Sequence, residues 1–252
     1  MRASFLRGAR DGVPICLGYV SVAFVFGMMC VESGLSPLMA ALISMTNLTS
    51  AGQFAGLTLL LSNAPLFEIG VTTLVINLRY TLMSLSLSQK VDARMTTLQR
   101  ALLSFGNTDE VFAVCMQQKG PVTAPYLAGL VLCVYAGWAG GTILGATVAG
   151  ALPEMVRSAL GLAIYGMFLA IIVPPARKVR PVLFAVLLSA AVSSLFYYAP
   201  LLRELSRGWV IILCAVGVSA LMAWKFPVPA EVRDEPAGEE EAPWPISSAR
   251  SP

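Results

Sequence analysis

Arg79 and Asn77 are the residues of this chain that first demand a chemical explanation. Both lie within Thr72–Ser88, whose sequence is TTLVINLRYTLMSLSLS, and Arg79 is equidistant from Glu68 and Lys90, the nearest charges along the chain. A helix rises about 1.5 Å per residue, so Arg79 falls near mid-membrane if this stretch spans a bilayer. A charge there costs about 2.5–3.5 kcal/mol on insertion scales unless it meets a partner or a wet cavity. On a helical wheel Thr73, Asn77, Thr81, Ser84 and Ser88 share one stripe, while Thr72, Arg79 and Ser86 share another. Asn77 and Arg79 therefore point about 200° apart. A regular helix cannot aim both at one narrow path: either it opens near Ile76, or Arg79 serves another interface. One reading gives Asn77 to a substrate path and Arg79 to a carboxylate, from Asp109, Glu110 or the substrate itself. The other makes Arg79 part of a buried ion pair, with the hydroxyls satisfying backbone.

Asn107-Thr108-Asp109-Glu110 is the second polar cluster. Adjacent carboxylates on a helix diverge by about 100°, so one can pair with Arg79 while the other meets water or relays a proton. The bland alternative sets both at the membrane interface, with Asp109 near a helix start. The third cluster, Ser50-Ala51-Gly52-Gln53, follows Asn47-Leu48-Thr49 inside an otherwise apolar segment. A helix broken there exposes N–H groups on one half-helix and C=O groups on the other, which suit the two charges of a zwitterion. A kinked helix with packed small residues fits the same letters. Gly129, Cys133, Gly137, Gly141, Gly145 and Ala149 recur every four residues, a ladder that lets another helix approach closely. The sequence leaves open whether that helix is internal or belongs to another subunit.

The elements that must position these groups are membrane helices. The chain is 57% hydrophobic and 12% charged, about half the charged fraction of a soluble domain. Apolar segments run over about 13–31, 37–62, 66–88, 101–116, 126–149, 156–173, 182–199 and 209–226, which predicts an all-α, polytopic membrane protein of six to eight segments. Arg2, Arg7 and Arg10 precede the first segment, which ends at Cys30-Val31-Glu32 without a small-residue cleavage site and reads as a retained helix starting inside. Arg177, Lys178 and Arg180 place the loop between the sixth and seventh segments inside as well. Two topologies satisfy both constraints. In one, all eight segments cross. In the other, 37–62 and 101–116 are broken or re-entrant, six segments cross, and the basic linker 89–100 lies inside. Positive-inside bias favours the second.

Residues 227–252 hold six acids and two bases, leaving 15 Lys/Arg against 8 Asp/Glu, net +7, in 1–226. The expected division is a membrane domain over 1–226 and a disordered, dispensable, Pro/Glu-rich cytoplasmic tail over 227–252. The excess positive charge reports topology, and no nucleic-acid motif accompanies it. With no histidine in the chain, His-based catalysis and His-ligated metals are excluded. The five cysteines form no CxxC and read as small buried thiols. No GxSxG, DDxxD or Walker A pattern occurs, so an enzyme, a cofactor, a metal site and direct ATP use are not expected.

The same residues carry a family resemblance. Asn77-Leu78-Arg79-Tyr80 resembles the N-L-R-[HY] motif of the AzlC family, the large subunits of branched-chain amino acid exporters. The likeness extends over about 10–225 through Pro14, Gly18-Tyr19, Gly27, Gln53-Phe54, Thr108-Asp109-Glu110, Trp138, Gly141-Thr142, Gly145 and Leu160-Gly161. Thr49-Ser50-Ala51-Gly52-Gln53-Phe54 stands where the family usually has A-G-x-x-Q-F, and Leu162-Ala163 stands where an aspartate is common. The resemblance implies a secondary transporter subunit in the inner membrane, exporting valine, leucine, isoleucine or similar amino acids by alternating access. It also implies a small hydrophobic AzlD-type partner. In that reading Gln53, Asn77 and the Ser50–Gly52 backbone hold the zwitterion, and Asp109 or Glu110 balances Arg79 or relays a proton. The rival expectation is an accessory or assembly subunit, or an exporter of another small solute.

Overall fold

Short polar residues cap the starts of the helices that form the two short hairpins. Ser36 accepts from the Met39 N–H ahead of Pro37, Thr49 from Gly52 N–H, and Thr108 from Val111 N–H. Thr96 and Gln99 form a reciprocal capping box. The computed structural model describes residues 1–199 and 205–227. The tail expected over 227–252 lies, apart from Pro227, outside the described residues. The helices are α1 (Arg2–Glu32), α2 (Pro37–Thr46), α3 (Ser50–Leu61), α4 (Leu66–Ser88), α5 (Thr97–Ser104), α6 (Asp109–Gln117), α7 (Ala124–Val148, extended by the 3₁₀ turn Ala149–Ala151), α8 (Glu154–Lys178), α9 (Arg180–Tyr198) and α10 (Arg207–Lys225). Among the described residues there is no strand, only an isolated bridge between Val91 and Val122. The chain is an all-α, polytopic membrane protein. Among the described residues five helices, α1, α4, α7 with its 3₁₀ turn, α9 and α10, are long and apolar enough to cross a bilayer. α8 has 25 residues and no charge from Ser158 to Ala176, which gives it similar reach.

The spine of the fold is α1 against α7. A Cβ added to Gly129 would fall on the Phe5 carbonyl, one on Gly137 or Gly141 on Cys16 or Val20 backbone, and one on Gly145 on the Phe24 carbonyl. α1 answers with glycines of its own: Gly8 lies against Tyr126 backbone, Gly12 against Leu130, and Gly27 against Thr142. The partner of the glycine ladder is therefore internal. The pairs advance together along both helices, so α1 and α7 run parallel. Without side chains between them, the backbones approach closely enough for dense van der Waals contact, the main attraction available between helices in lipid.

Two hairpins fill the ends of this spine from opposite sides. α2 starts where α1 ends: Ala40 packs with Phe26, Cys30 and Ala146, while Ser44 reaches Thr142 and Leu48 reaches Ala23 and Trp138 halfway down. α3 then climbs back, with Phe54 edge-on to Phe26 and Leu57 in the same cluster as Ala40. α5 and α6 mirror this from the other end. Gly106 meets Val131, and Val111 and Cys115 return to a cluster with Val122 and Leu127. Each hairpin turns back within the bundle, so that it begins and ends near the same end of α1 and α7. The break at Asn47–Thr49 is shorter than the expected interruption at 47–53, and a second break, Phe105–Thr108, divides 101–116. In each case a Thr cap restarts the helix almost at once.

α4 runs antiparallel to α1. Its C-terminal end is tied to the start of α7, where Asp92 N–H donates to Val122 O and Val122 N–H to Lys90 O, both at 2.9 Å. Its first turn meets α10, where Glu68 accepts from Gly208 N–H at 3.0 Å. Phe184 stacks on Phe226, so α9 begins where α10 ends. One end of the bundle thus carries Arg2, Arg7, Arg10, Lys90, Arg94, Arg100, Lys119, Arg177, Lys178, Arg180 and Lys225 against Asp11 and Asp92. The other carries Arg157 and Arg207 with Glu32, Glu68 and Glu154.

Gly145→Val is expected to destabilise by about 1–3 kcal/mol, because its branches must displace Phe24 backbone, whereas Gly140→Val, which faces open space, changes little. Thermal melts in detergent measure both. Single cysteines at Ser33 and Ser62 should label from one side of the membrane and those at Gln89 and Lys119 from the other. Strict alternation of all four sites would mean that the hairpins cross.

Candidate functional site

α4 passes between the two hairpin tips, and its residues 77–80 reach both. The helix stays closed through Ile76. Asn77 points one way, its Oδ1 accepting from Thr49 Oγ1 at 2.9 Å. Gly52 leaves room for this contact, since a Cβ there would lie 3.3 Å from Asn77 Nδ2 and 2.8 Å from Thr49 Cγ2. Arg79 points the other way, with Nη2 at 2.9 Å from Asp109 Oδ2 and the guanidinium 5.1 Å from the Tyr80 ring centroid. The 200° divergence that set these residues against each other in one path instead lets a single helix hold two tips. Two turns on, Asn107 Nδ2 donates to Ser84 Oγ at 2.9 Å.

The tip at Phe105–Thr108 concentrates charge where α6 begins. Thr108 caps the helix, and Asp109 and Glu110 occupy its first turn, where partial positive charge from the free N–H groups favours carboxylates. They diverge as the spacing requires: Asp109 meets Arg79, and Glu110 accepts from Tyr19 O–H. Tyr19 in turn packs edge-on to Trp138, ring centroids 5.1 Å apart. The buried Trp138 Nε1 has no partner among the described residues. Tyr135 links the two tips, donating to Met45 O at 3.0 Å while its ring lies 6.1 Å from that of Phe105.

The tip at Asn47–Thr49 is quieter. Ser50 opens α3, Gly52 N–H is taken by the Thr49 cap, and Gln53 is only 2% exposed. Gln53 Nε2 donates to Ser44 Oγ at 3.1 Å, and Ser44 bonds Thr142 at 2.6 Å, so this amide ties the hairpin to α7. Gln53 Oε1 has no partner among the described residues. Of the groups assigned to a zwitterion, Asn77 and the Gly52 N–H already bind Thr49, and Gln53 is packed between α3, α2 and α7. Gly129, Gly137, Gly141 and Gly145 lie on α7 against α1, away from the tips.

Sequence reasoning passed over Ser44, Tyr135 and Glu68. The first two look ordinary until the hairpins bring residues about ninety positions apart together. Glu68 did carry a signal, as the sole acid of α4. It is 4% exposed and accepts from Ser206 Oγ at 2.5 Å as well as from Gly208 N–H, capping α10.

A family model described as AzlC protein matches residues 14–152. The chain belongs to the AzlC family. That matched stretch contains most of α1 and all of α2 to α7, and so every group of the two tips. The chain is 29% identical over 175 residues to the inner membrane protein YgaZ of Escherichia coli (strain K12), covering 67% of this chain and 71% of that one. It is 36% identical over 175 residues to an uncharacterized membrane protein of Archaeoglobus fulgidus, covering 68% and 76%. An uncharacterized membrane protein of Helicobacter pylori (strain 26695) is 28% identical over 151 residues, covering 57% and 65%. No solved structure matches the chain.

In this AzlC-family chain, Arg79→Leu leaves Asp109 unpaired at membrane depth. It should lower folded protein in the membrane by an amount equivalent to about 2.5–3.5 kcal/mol. The double variant Arg79→Leu/Asp109→Leu should recover membrane levels but not function. Quantitative blotting of membrane fractions beside a transport assay separates the two.

Proposed function

We propose that this protein is the large subunit of a secondary transporter that exports branched-chain or similar hydrophobic amino acids across the inner membrane. The observation that carries this reading is the convergence of two opposed, broken hairpins on residues 77–80 of α4. Half-helices that begin at mid-membrane present N–H groups and dipole ends to a small charged solute, and irregular backbone is tolerated at that depth where it lines a cavity or is buried in protein. Each hairpin reaches the centre from a different end of the bundle. Small opposed movements of the two would expose the centre to one side and then the other, the geometry alternating access needs.

The orientation and the partner follow from charge. The end rich in arginine and lysine takes the cytoplasmic side, which puts both the start of α1 and the end of α10 inside. Arg79 and Asp109 sit at mid-depth with side chains 47% and 45% exposed in this single chain. A second subunit over that face, of the small hydrophobic AzlD type, would take the pair out of lipid.

The test is efflux from cells loaded with leucine- or valine-containing dipeptides. The chain with its small partner should speed release of leucine or valine, the chain alone should not, and Asn77→Ala with the partner should slow release at least tenfold. Unchanged efflux from cells in which both proteins are inserted would reject the branched-chain substrate.

A further inference from the structure

A groove of about 300 Å³ opens between α4, α5 and the start of α7, at the end of the bundle that carries Arg2 and Arg100. Its wall is mostly apolar, built on Leu87, Met95 and Leu127, each under a tenth exposed. Beside the hydroxyls of Ser84, Ser88, Thr97 and Ser104, its polar lining comprises Asn107 and Arg100. At the inner end is Asn107, 6% exposed, whose Nδ2 is spent on Ser84 and whose Oδ1 has no partner among the described residues. A buried carbonyl oxygen without a donor is costly, by about 1–3 kcal/mol, and calls for one. At the mouth is Arg100, held by its Nε on Met95 O at 3.2 Å and by Nη2 on Asp92 O at 3.5 Å. Five N–H donors serve a guanidinium, so these bonds leave others for an anion.

Resting on the reading of the chain as an amino-acid transporter, we propose that this groove is a binding site for the substrate before it reaches the tips. Asn107 Oδ1 accepts from its ammonium, Arg100 faces its carboxylate, and an aliphatic side chain lies on Leu87, Met95 and Leu127. The size is at the lower bound of ligand pockets, and an apolar wall with a few convergent polar groups is their usual composition. Position supports the role as well. Asn107 adjoins Thr108 and Asp109, so a solute leaving the groove inward arrives at the tip of α6. Ser84 lies on the α4 stripe that continues to Asn77, about 10 Å farther along the helix. The Asn107–Ser84 bond closes the inner end and would have to part for passage.

The experiment is calorimetric titration of the full-length chain in lipid nanodiscs with L-leucine and with isocaproate, which lacks the amine. Wild type should bind leucine about 10- to 100-fold tighter than isocaproate, the range for a hydrogen bond to a charged group. Ala101→Trp, on the exposed rim, should abolish binding without lowering the melting temperature. Asn107→Leu should bind the two ligands equally. Leucine binding that survives both substitutions unchanged, or no leucine binding by wild type, overturns the groove as the site. Efflux that persists while the groove variants bind normally would leave the exporter reading standing and remove this proposal alone.

Discussion

The backbone contact between α1 and α7 governs everything at the centre of this protein. Helices in lipid gain little from hiding apolar side chains, since the surroundings are equally apolar. What holds them is contact density, and glycine raises it by removing the side chains that would keep two backbones apart. Gly8, Gly12 and Gly27 on one helix and Gly129, Gly137, Gly141 and Gly145 on the other do this along the full length of the pair. A rigid parallel pair results, with Tyr19, Trp138, Tyr135 and Thr142 projecting from its middle toward the hairpins.

That rigidity is what allows broken helices at membrane depth. Each break frees backbone groups that lipid cannot satisfy. Thr49 and Thr108 absorb part of this cost as caps, and Tyr135 absorbs more by donating to Met45 O, while side-chain bonds from Ser44 to Thr142 and from Tyr19 to Glu110 tie the hairpins to α7 and α1. α4 completes the arrangement with an uncharged bond to one tip and an ion pair to the other. The asymmetry is physical as well as chemical. The Asn77 tip is bound by neutral bonds and buried amides, whereas the Asp109 tip carries two carboxylates and half-exposed charge.

Much of this was legible in the letters. Hydropathy gave the helical class, and the polar stretch Asn47–Gln53 marked the break between α2 and α3. The four-residue glycine period marked a close helix contact, and the charge of Arg79 demanded a partner. What failed to show was anything set by long-range pairing. The glycine period could not name α1, because Gly8, Gly12 and Gly27 are spaced unevenly. The position of the turn within 101–116 is not legible, because a Gly-Asn-Thr break is short. The burial of Gln53 against Ser44 is not legible in sequence, because it depends on how α2 folds back. The divergence of Asn77 and Arg79 was correctly derived as geometry, but only the fold reveals that two targets, one on each side, make it an asset.

The central claim is that both tips meet one helix, from opposite ends of the membrane. The most direct measurement uses paired cysteines in a chain without native thiols, treated in native membranes with a short bis-methanethiosulfonate linker. Thr49→Cys with Asn77→Cys, and Ser84→Cys with Asn107→Cys, should each cross-link within the chain. Thr49→Cys with Ser84→Cys, displaced by about 10 Å along α4, should not. Efficient linking of the displaced pair, with neither predicted pair linking, would contradict the arrangement of the hairpins around α4.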